Sequence, residues 1–399
     1  MIAIYQLFKI IIGIFISVFI LTFLIFFSGM YSGVQETRYG GTTTQNFKLT
    51  AESVYYTANI DEVFTGFAKR DFELSFNTLS NEPGIVFGNE GKIRLTVPTL
   101  LAGGNIREVV ISKGTVDYVW WQFHYVQAMP RTHIVFNPIG NDMEPYIESI
   151  VDLFPDTQAS RFERANITFS LCGGATIEEP QSKLDFLRTL SLSPGSRVSC
   201  TADLLPHQRL VILDSGCSTF KSGVSHGVCV QPPNVQGMGK AFLIHEEAYP
   251  QGRVYKDWAD IVALVVGYNQ ETVQGLAGEL LYDYKNDMTF TELGLASNGM
   301  ARKSEIIAAR LQDMIDSGEI PYAEETDVER CVLLHSEMAE LLRDLEAFIQ
   351  NNLQNVDYEN QLLMWNLMDT LYQKVFETGG VGDKWGELVN GGCEREGRD

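Results

Sequence analysis

Residues Ile10–Phe27 read IIIGIFISVFILTFLIFF, and this stretch decides how the rest of the chain is organised. Its only polar residues are Ser17 and Thr22, whose hydroxyls can bond to carbonyls of the same helix. An α-helix rises about 1.5 Å per residue, so this stretch covers about 27 Å, close to the hydrocarbon thickness of a bilayer. No face of the helix is polar, which argues against a helix in the core of a soluble protein. We therefore predict a transmembrane anchor over Ile10–Phe27.

The alternative for this segment is a cleaved secretory signal. Small residues follow it at Ser28-Gly29-Met30, where a peptidase could cut, but the apolar core exceeds the usual 7–15 residues of such signals. A retained anchor is therefore favoured. Lys9 precedes the segment, whereas Glu36 and Arg38 after it cancel, so the charge asymmetry favours an N-terminus inside and the bulk of the chain outside.

The composition narrows the class of partner. Acidic residues outnumber basic ones by 51 to 30, which gives a formal net charge of −21. Such a charge argues against nucleic acid and against an anionic membrane surface as partners. No second long apolar stretch follows the first, so the sequence predicts a single span and an acidic extracytoplasmic part with two domains.

The cysteines fit an oxidising compartment. All six lie after the apolar segment, and an even count in an extracytoplasmic domain predicts disulfides. Four of them fall within 58 residues, which leaves three possible connectivities among those four. No Cys-x₂₋₄-Cys pair suggests zinc, and no cofactor is predicted. Asn166-Ile167-Thr168 is a candidate glycosylation site. The disulfide candidates are Cys172, Cys200, Cys217, Cys229, Cys331 and Cys393.

Periodicity predicts an α+β fold. Short alternating runs over 70–140 predict a mostly antiparallel sheet with a tight turn at Lys113-Gly114, and apolar runs between helices predict a small α/β unit with some parallel pairing. Helical spacing dominates the C-terminal part. The predicted order is a cytoplasmic N-terminus at 1–9, the anchor at 10–27, a flexible stalk at 28–45, a β-rich region at 46–140, an α/β disulfide-bearing region at 141–256, a helical region at 257–378 and a flexible tail at 379–399.

The helical predictions are specific. An amphipathic helix is expected over Leu49–Phe67. Two separate helices are expected at Glu271–Tyr284 and Arg302–Asp316. A long helix from Thr326 to Leu353 and another over Tyr358–Phe376 are joined by a short connector, so they should be antiparallel neighbours.

Three residues are weak catalytic candidates. Asp214 closes the strand RLVILD, and His226 precedes a glycine, a pattern that superficially resembles the subtilisin family. The matching serine is missing, because Ser297-Asn298-Gly299-Met300-Ala301 has glycine where the nucleophile belongs. His245-Glu246 follows another strand, but Tyr249 replaces the second histidine of a His-Glu-x-x-His zinc motif.

Four short stretches give the chain a family likeness: Ile167–Gly174, Arg197–Cys200, Gly227–Cys229 and Val254–Asp260. With the apolar N-terminal segment, they resemble uncharacterised single-pass, membrane-anchored surface proteins of small-genome archaea, some of them pilin-like. The resemblance implies a hydrophobic N-terminal helix, a disulfide-bearing α/β ectodomain and a helical C-terminal part. It implies no catalytic residues.

The sequence thus favours a non-catalytic, membrane-anchored protein that acts through contacts with a protein partner in a cell-surface or envelope assembly. One alternative is an anchored extracytoplasmic hydrolase that uses Asp214, His226 or His245. A second alternative is a pilin-like subunit, whose anchor helix would run continuously into the ectodomain.

Overall fold

A computed structural model describes most of the chain after residue 40. The described residues are 20–23, 41–57, 62–64, 72–76, 84–87, 92–94, 97, 99–101, 104–106, 109–130, 132–140, 143–154, 167–190, 200–205, 208–217, 227–234, 237–244, 251–256, 258–267, 276–320, 325–353, 356–358 and 360–393. Of the predicted anchor, only residues 20–23 fall within these ranges, and they are helical. None of the helices in these ranges is long and apolar enough to cross a membrane.

The first described secondary structure after residue 40 is a helix, α1, over residues 41–56. Phe47, Ala51 and Val54 recur at helical spacing on one side of it and are fully buried. Thr43 and Thr44 are buried as well. The predicted flexible stalk is therefore wrong for residues 41–45, and the helix predicted at 49–67 begins earlier and ends before a strand at Glu62–Phe64.

Strands form three sheets in the described part of the chain. The order β1-β7-β8-β5 makes one four-stranded sheet, β4-β3-β2-β6 makes a second, and β11-β10-β9-β12-β13-β14-β15 makes a seven-stranded sheet. The strands are β1 Glu62–Phe64, β2 Phe72–Phe76, β3 Gly84–Phe87, β4 Lys92–Arg94, β5 Thr99–Leu101, β6 Gly104–Ile106, β7 Val109–Tyr118, β8 Trp121–Pro130, β9 Thr132–Pro138, β10 Ile167–Gly173, β11 Thr176–Ile177, β12 Gln208–Leu213, β13 Gly227–Gln231, β14 Gly239–Ile244 and β15 Gln251–Tyr255.

The longest hairpin joins β7 to β8, and its turn is not at Lys113-Gly114 as predicted. β7 runs straight through Gly114, which pairs with Tyr125 in β8, and the turn lies at Val119-Trp120. A Cβ on Gly114 would come within 2.2 Å of the Tyr125 ring. Glycine here makes room for a cross-strand aromatic ring rather than a turn.

The seven-stranded sheet is mixed. β10, β9, β12 and β13 are parallel neighbours, while β11, β14 and β15 pair antiparallel at the two ends. The small α/β unit with some parallel pairing was predicted, but β9 was assigned to the antiparallel region. In the structure β9 lies between β10 and β12, so the α/β unit begins at Thr132 rather than at residue 141.

The two faces of this sheet are covered in different ways. Side chains alternate along each strand, so Ile134 and Phe136 of β9 enter the main core beneath the helices, whereas Val135 enters a separate cluster on the other face. That second cluster consists of strand and loop residues and contains two disulfides. We call the two sides the helix-covered face and the disulfide face.

The remaining helices are α2 Glu144–Asp152, α3 Lys183–Leu190, α4 Trp258–Gly267, α5 Leu276–Asp316, α6 Glu325–Asn352, α7 Gln361–Phe376 and α8 Val381–Asn390. The C-terminal ones form a helical bundle in which α5 packs along α6 and both α7 and α8 contact α6. The mixed α and β composition and the C-terminal bundle agree with the predicted fold class.

Two helical predictions need correction. The separate helices predicted at 271–284 and 302–316 are one helix of 41 residues. Gly294 within it faces Ile349 of α6, and a Cβ there would lie 3.4 Å from the isoleucine side chain, an ordinary van der Waals distance. The predicted flexible tail contains α8, whose C-terminal end is joined to α6 by the Cys331–Cys393 disulfide.

The six cysteines form three disulfides: Cys172–Cys200, Cys217–Cys229 and Cys331–Cys393. The first two lie within the cluster on the disulfide face, and they resolve the connectivity that the sequence left open. Disulfides of this kind persist in oxidising, extracytoplasmic compartments.

Candidate ligand-binding site

A cavity of about 370 Å³ lies where the β7–β8 hairpin, α4, α5 and α7 meet. Its walls are mostly apolar and aromatic, with a small set of polar groups among them. This combination is characteristic of small-molecule sites. The lining residues are Val116, Asp117, Tyr118, Gly237, Lys256, Trp258, Asp260, Lys285, Asn286, Thr289, Phe290, Met368, Leu371, Tyr372 and Phe376.

A buried ion pair forms one part of the lining. Lys285 Nζ on α5 donates to Asp260 Oδ1 on α4 at 2.5 Å, and each side chain is only 2% exposed. Removing two charges from water costs several kcal/mol per ion, and their attraction offsets that cost only with close geometry. A buried ion pair therefore adds little to the stability of the fold. Its position in the lining of a cavity indicates a role in binding.

Helix α5 carries polar side chains into the interior because they bond to their own backbone. Asn286 Nδ2 donates to the Tyr282 carbonyl and Thr289 Oγ1 donates to the Lys285 carbonyl, each one turn earlier. Such bonds satisfy a buried donor without a partner from another element. The helix continues through this stretch because it packs along α6 and α4.

Lys256 lines the same cavity from the segment after β15. Its ammonium lies 3.1 Å from the centroid of the Tyr372 ring, a cation–π contact between this segment and α7. Burial lowers the pKa of Lys256, and the nearby carboxylates of Asp369 and Glu377 act in the opposite direction. Lys256 is therefore partly desolvated at the side of the cavity that α7 forms, and the two carboxylates favour its charged form.

Two tyrosine hydroxyls form hydrogen bonds that hold α5 against its neighbours. The Tyr358 hydroxyl donates to Asp287 Oδ1 at 2.5 Å, and the Tyr282 hydroxyl donates to the Val254 carbonyl. Burial raises the pKa of both tyrosines and of Asp287, and the bond from Tyr358 lowers that of Asp287 in part. These hydroxyls stay protonated and anchor α5 to β15 and to the segment before α7.

Aromatic rings complete the wall. Tyr118 stacks on Trp121 at 5.7 Å and on Phe376 of α7 at 6.1 Å, both measured between ring centroids. Tyr118 thus joins the hairpin to α7 of the bundle. These rings hold one side of the cavity in place.

The sequence candidates lie elsewhere. Asp214 follows β12 at the carboxyl edge of the parallel strands, next to the point where the strand order reverses between β9 and β12. Open α/β sheets bind ligands in that position. However, Asp214 Oδ1 accepts a hydrogen bond from the Gly216 backbone, so part of its carboxylate shapes the local turn.

His226, His245 and Asn166 lie outside the described residues. Their described neighbours Gly227 and Ile244 are paired across β13 and β14. The register places Gly227 four residues before the level of Asp214, a distance of about 13 Å along the strands. Asp214 and these two neighbours therefore lie at opposite ends of the strands.

A histidine–serine pair that the sequence did not indicate lies in the disulfide face. His133 Nε2 is 2.8 Å from Ser170 Oγ, and Gln208 Nε2 is 3.0 Å from His133 Nδ1. Gln208 is a donor there, so Nδ1 is the acceptor and Nε2 donates to the serine. Both side chains are buried, and this orientation leaves the serine without a base, so the pair serves packing.

Within the described ranges, no group of three His, Cys, Asp or Glu side chains could hold a metal ion. The ion pair of Asp260 and Lys285 was not predicted either. The sequence signal was an aspartate inside the apolar run of α4 and a lysine within a tyrosine-rich turn of α5, which become neighbours only through the packing of α4 on α5.

Comparisons of this chain with protein families, with curated proteins and with solved structures found no match.

Proposed function

We propose that this chain is a membrane-anchored, extracytoplasmic binding protein that recognises a small molecule non-covalently as part of a cell-surface or envelope assembly. The observation that carries the proposal is the cavity between the β7–β8 hairpin and α4, α5 and α7, with a buried ion pair in its lining. The three disulfides support the extracytoplasmic location.

The anchor is the part of the proposal that rests on sequence alone. Residues 10–27 have the length and composition of a single span, with the N-terminus inside. Deleting residues 1–40 removes this segment but keeps α1, whose Phe47 is fully buried. The truncated protein should therefore be soluble and folded, whereas the full chain should sediment with membranes.

A second truncation serves as the matched control. Deleting residues 1–45 also removes Thr43 and Thr44, which are buried in the first turns of α1. We expect this variant to be less stable than the 1–40 deletion, by thermal unfolding. A full chain found in the soluble fraction would contradict the anchor.

Recognition in the cavity is tested with 2-ethylnaphthalene, a neutral apolar probe, by its fluorescence on titration with the 1–40 deletion. Leu371→Trp on α7 places a larger ring in the cavity and should abolish binding. Leu362→Trp introduces the same ring on the same helix at a site that is 72% exposed, and should leave binding unchanged. Binding that is absent in the parent, or equal in both variants, would refute the site.

The hydrolase is the second candidate, because Asp214 lies at the carboxyl edge beside the strand-order reversal. An Asp214→Asn variant that loses a measured hydrolytic activity and keeps its thermal stability would favour it. The protein-partner contacts and the pilin-like subunit remain hypotheses from the sequence. A pilin-like role would require a continuous helix between residue 27 and α1.

A further inference from the structure

The ligand chemistry follows from the hydrogen-bonding capacity of Lys285. A protonated lysine has three N–H donors and no acceptor. In the described part of the chain, Asp260 Oδ1 is the acceptor within hydrogen-bonding distance of this ammonium, and it takes one donor. A buried donor without an acceptor costs free energy, so the cavity offers unused donors at a desolvated position.

The charge of the ligand follows from the ion pair. Asp260 and Lys285 are both almost fully buried and neutralise one another. Asp117 and Lys256 also line the cavity, so its four charged side chains sum to zero. An anionic or cationic ligand head would add a net charge to this partly desolvated space, which is costly. A neutral oxygen can accept from Lys285 without that cost.

The body of the ligand follows from the walls. Trp258, Phe290, Met368, Leu371 and Phe376 present apolar and aromatic surface to the cavity. Aromatic rings pack in offset or edge-to-face arrangements with rings of a ligand. A flat or ring-bearing apolar body therefore fits the space better than a polar chain.

We propose that the cavity binds a neutral, largely apolar, ring-bearing molecule whose single carbonyl oxygen accepts a hydrogen bond from Lys285. This inference rests on the proposed function, and it adds the chemical class of the ligand. Lys285 selects the oxygen, Asp260 holds the ammonium in place at 2.5 Å, and the aromatic walls bind the body.

The test compares four probes that share a naphthalene body, by titration calorimetry with the protein lacking residues 1–40. They are 2-ethylnaphthalene, 2-acetonaphthone, 2-naphthoate and 2-naphthylmethylammonium. We expect the ketone to bind about tenfold tighter than the hydrocarbon, or more, because it gains a hydrogen bond to a charged donor. Both ionic probes should bind about tenfold more weakly than the ketone, or worse.

A double variant, Asp260→Leu with Lys285→Met, removes both charges together. Replacing both members of a buried pair by apolar residues of similar size is tolerated far better than removing one. In this variant the advantage of the ketone over the hydrocarbon should disappear, while 2-ethylnaphthalene still binds. Leu362→Trp is the unaffected control.

The outcomes separate the two proposals. If 2-ethylnaphthalene does not bind, or binds equally to Leu371→Trp, the cavity is not a ligand site and the proposed function falls. If the hydrocarbon binds in the cavity but the ketone gains nothing, or an ionic probe binds tightest, only the ligand class is overturned. A ketone advantage that survives in the double variant would also overturn the role of Lys285.

Discussion

The two faces of the seven-stranded sheet are both shielded from water, one by helices and the other by loops and disulfides. Strands that are parallel and central must be covered on both sides. On the helix-covered face, Phe136 and Phe169 pack against α3 and the other helices in one continuous core. On the disulfide face, loops cover the strands and two disulfides hold them.

The difference shows where covalent bonds replace buried area. Loops bury less apolar surface than a helix stripe does, so they contribute less hydrophobic free energy to folding. A disulfide restricts the unfolded chain instead, at typically 2–4 kcal/mol. The disulfide face thus depends on an oxidising compartment for two disulfides, whereas the helix-covered side, which holds the cavity, relies mainly on packing and contains one disulfide, Cys331–Cys393.

The largest expected effect is on the helix-covered face. Phe136→Ala removes a fully buried ring that stacks on Phe186 at 5.8 Å between centroids. We expect a loss of about 4 kcal/mol in the free energy of unfolding, from transfer and cavity terms. Urea unfolding measures it, with exposed Leu362→Ala as the control. A loss below about 1 kcal/mol would mean that this face does not rely on packing.

Removing a disulfide should have the next largest effect. Replacing Cys172 and Cys200 by alanine opens a loop with a sequence separation of 28, and we expect a loss of about 3 kcal/mol. Replacing Cys217 and Cys229 opens a separation of 12, and the loss should be smaller. Thermal unfolding of both variants measures the difference. Equal stability of the parent and both variants would show that loops alone close this face.

The effect of breaking the ion pair beside the cavity should depend on whether one or both charges are removed. Lys285→Met leaves the buried Asp260 carboxylate without its partner and should cost about 3 kcal/mol, comparable to the loss of the Cys172–Cys200 disulfide. The double variant Asp260→Leu with Lys285→Met should restore stability to within about 1 kcal/mol of the parent. Chemical unfolding of both measures the coupling. If the double variant is as unstable as the single one, the pair is a structural requirement.

The smallest expected effect is on the stability of the protein at low pH. Burial lowers the pKa of His335, Lys303 lowers it further, and the contact with the Cys393 carbonyl acts in the opposite direction. Because the unfolded pKa is higher, stability from the neutral ring is complete above about pH 6.5 and is lost as the pH falls below it. His335→Asn should reduce this loss between pH 6.5 and 5. An identical pH profile of thermal unfolding in both proteins would contradict it.

The sequence predicted elements whose signal is local. α6 and α7 were predicted within a few residues, because their apolar spacing extends over several turns. β12 was also predicted, since RLVIL is a continuous buried run. β13 was missed, because GVCVQ is short and begins with glycine, and only its pairing with β12 and β14 identifies it.

The predictions from the sequence that were wrong concern residues whose role depends on tertiary contacts. Gly114 predicted a turn, but its role is to accommodate the Tyr125 ring across the strand pair. The break predicted in α5 does not occur, because the helix packs along α6 and α4, which the sequence does not show. The site was missed for the same reason: Asp260 and Lys285 are 25 residues apart and meet only when α4 packs on α5.

The most direct test of the account is the state of the cysteines in protein taken from its native compartment. The chain is denatured without reductant in the presence of a maleimide–polyethylene glycol reagent, and labelled species are counted by gel shift. We predict no labelled cysteine before reduction and six after it, because all six are paired in disulfides. Six labelled cysteines without reductant would contradict both the disulfide face and the extracytoplasmic location.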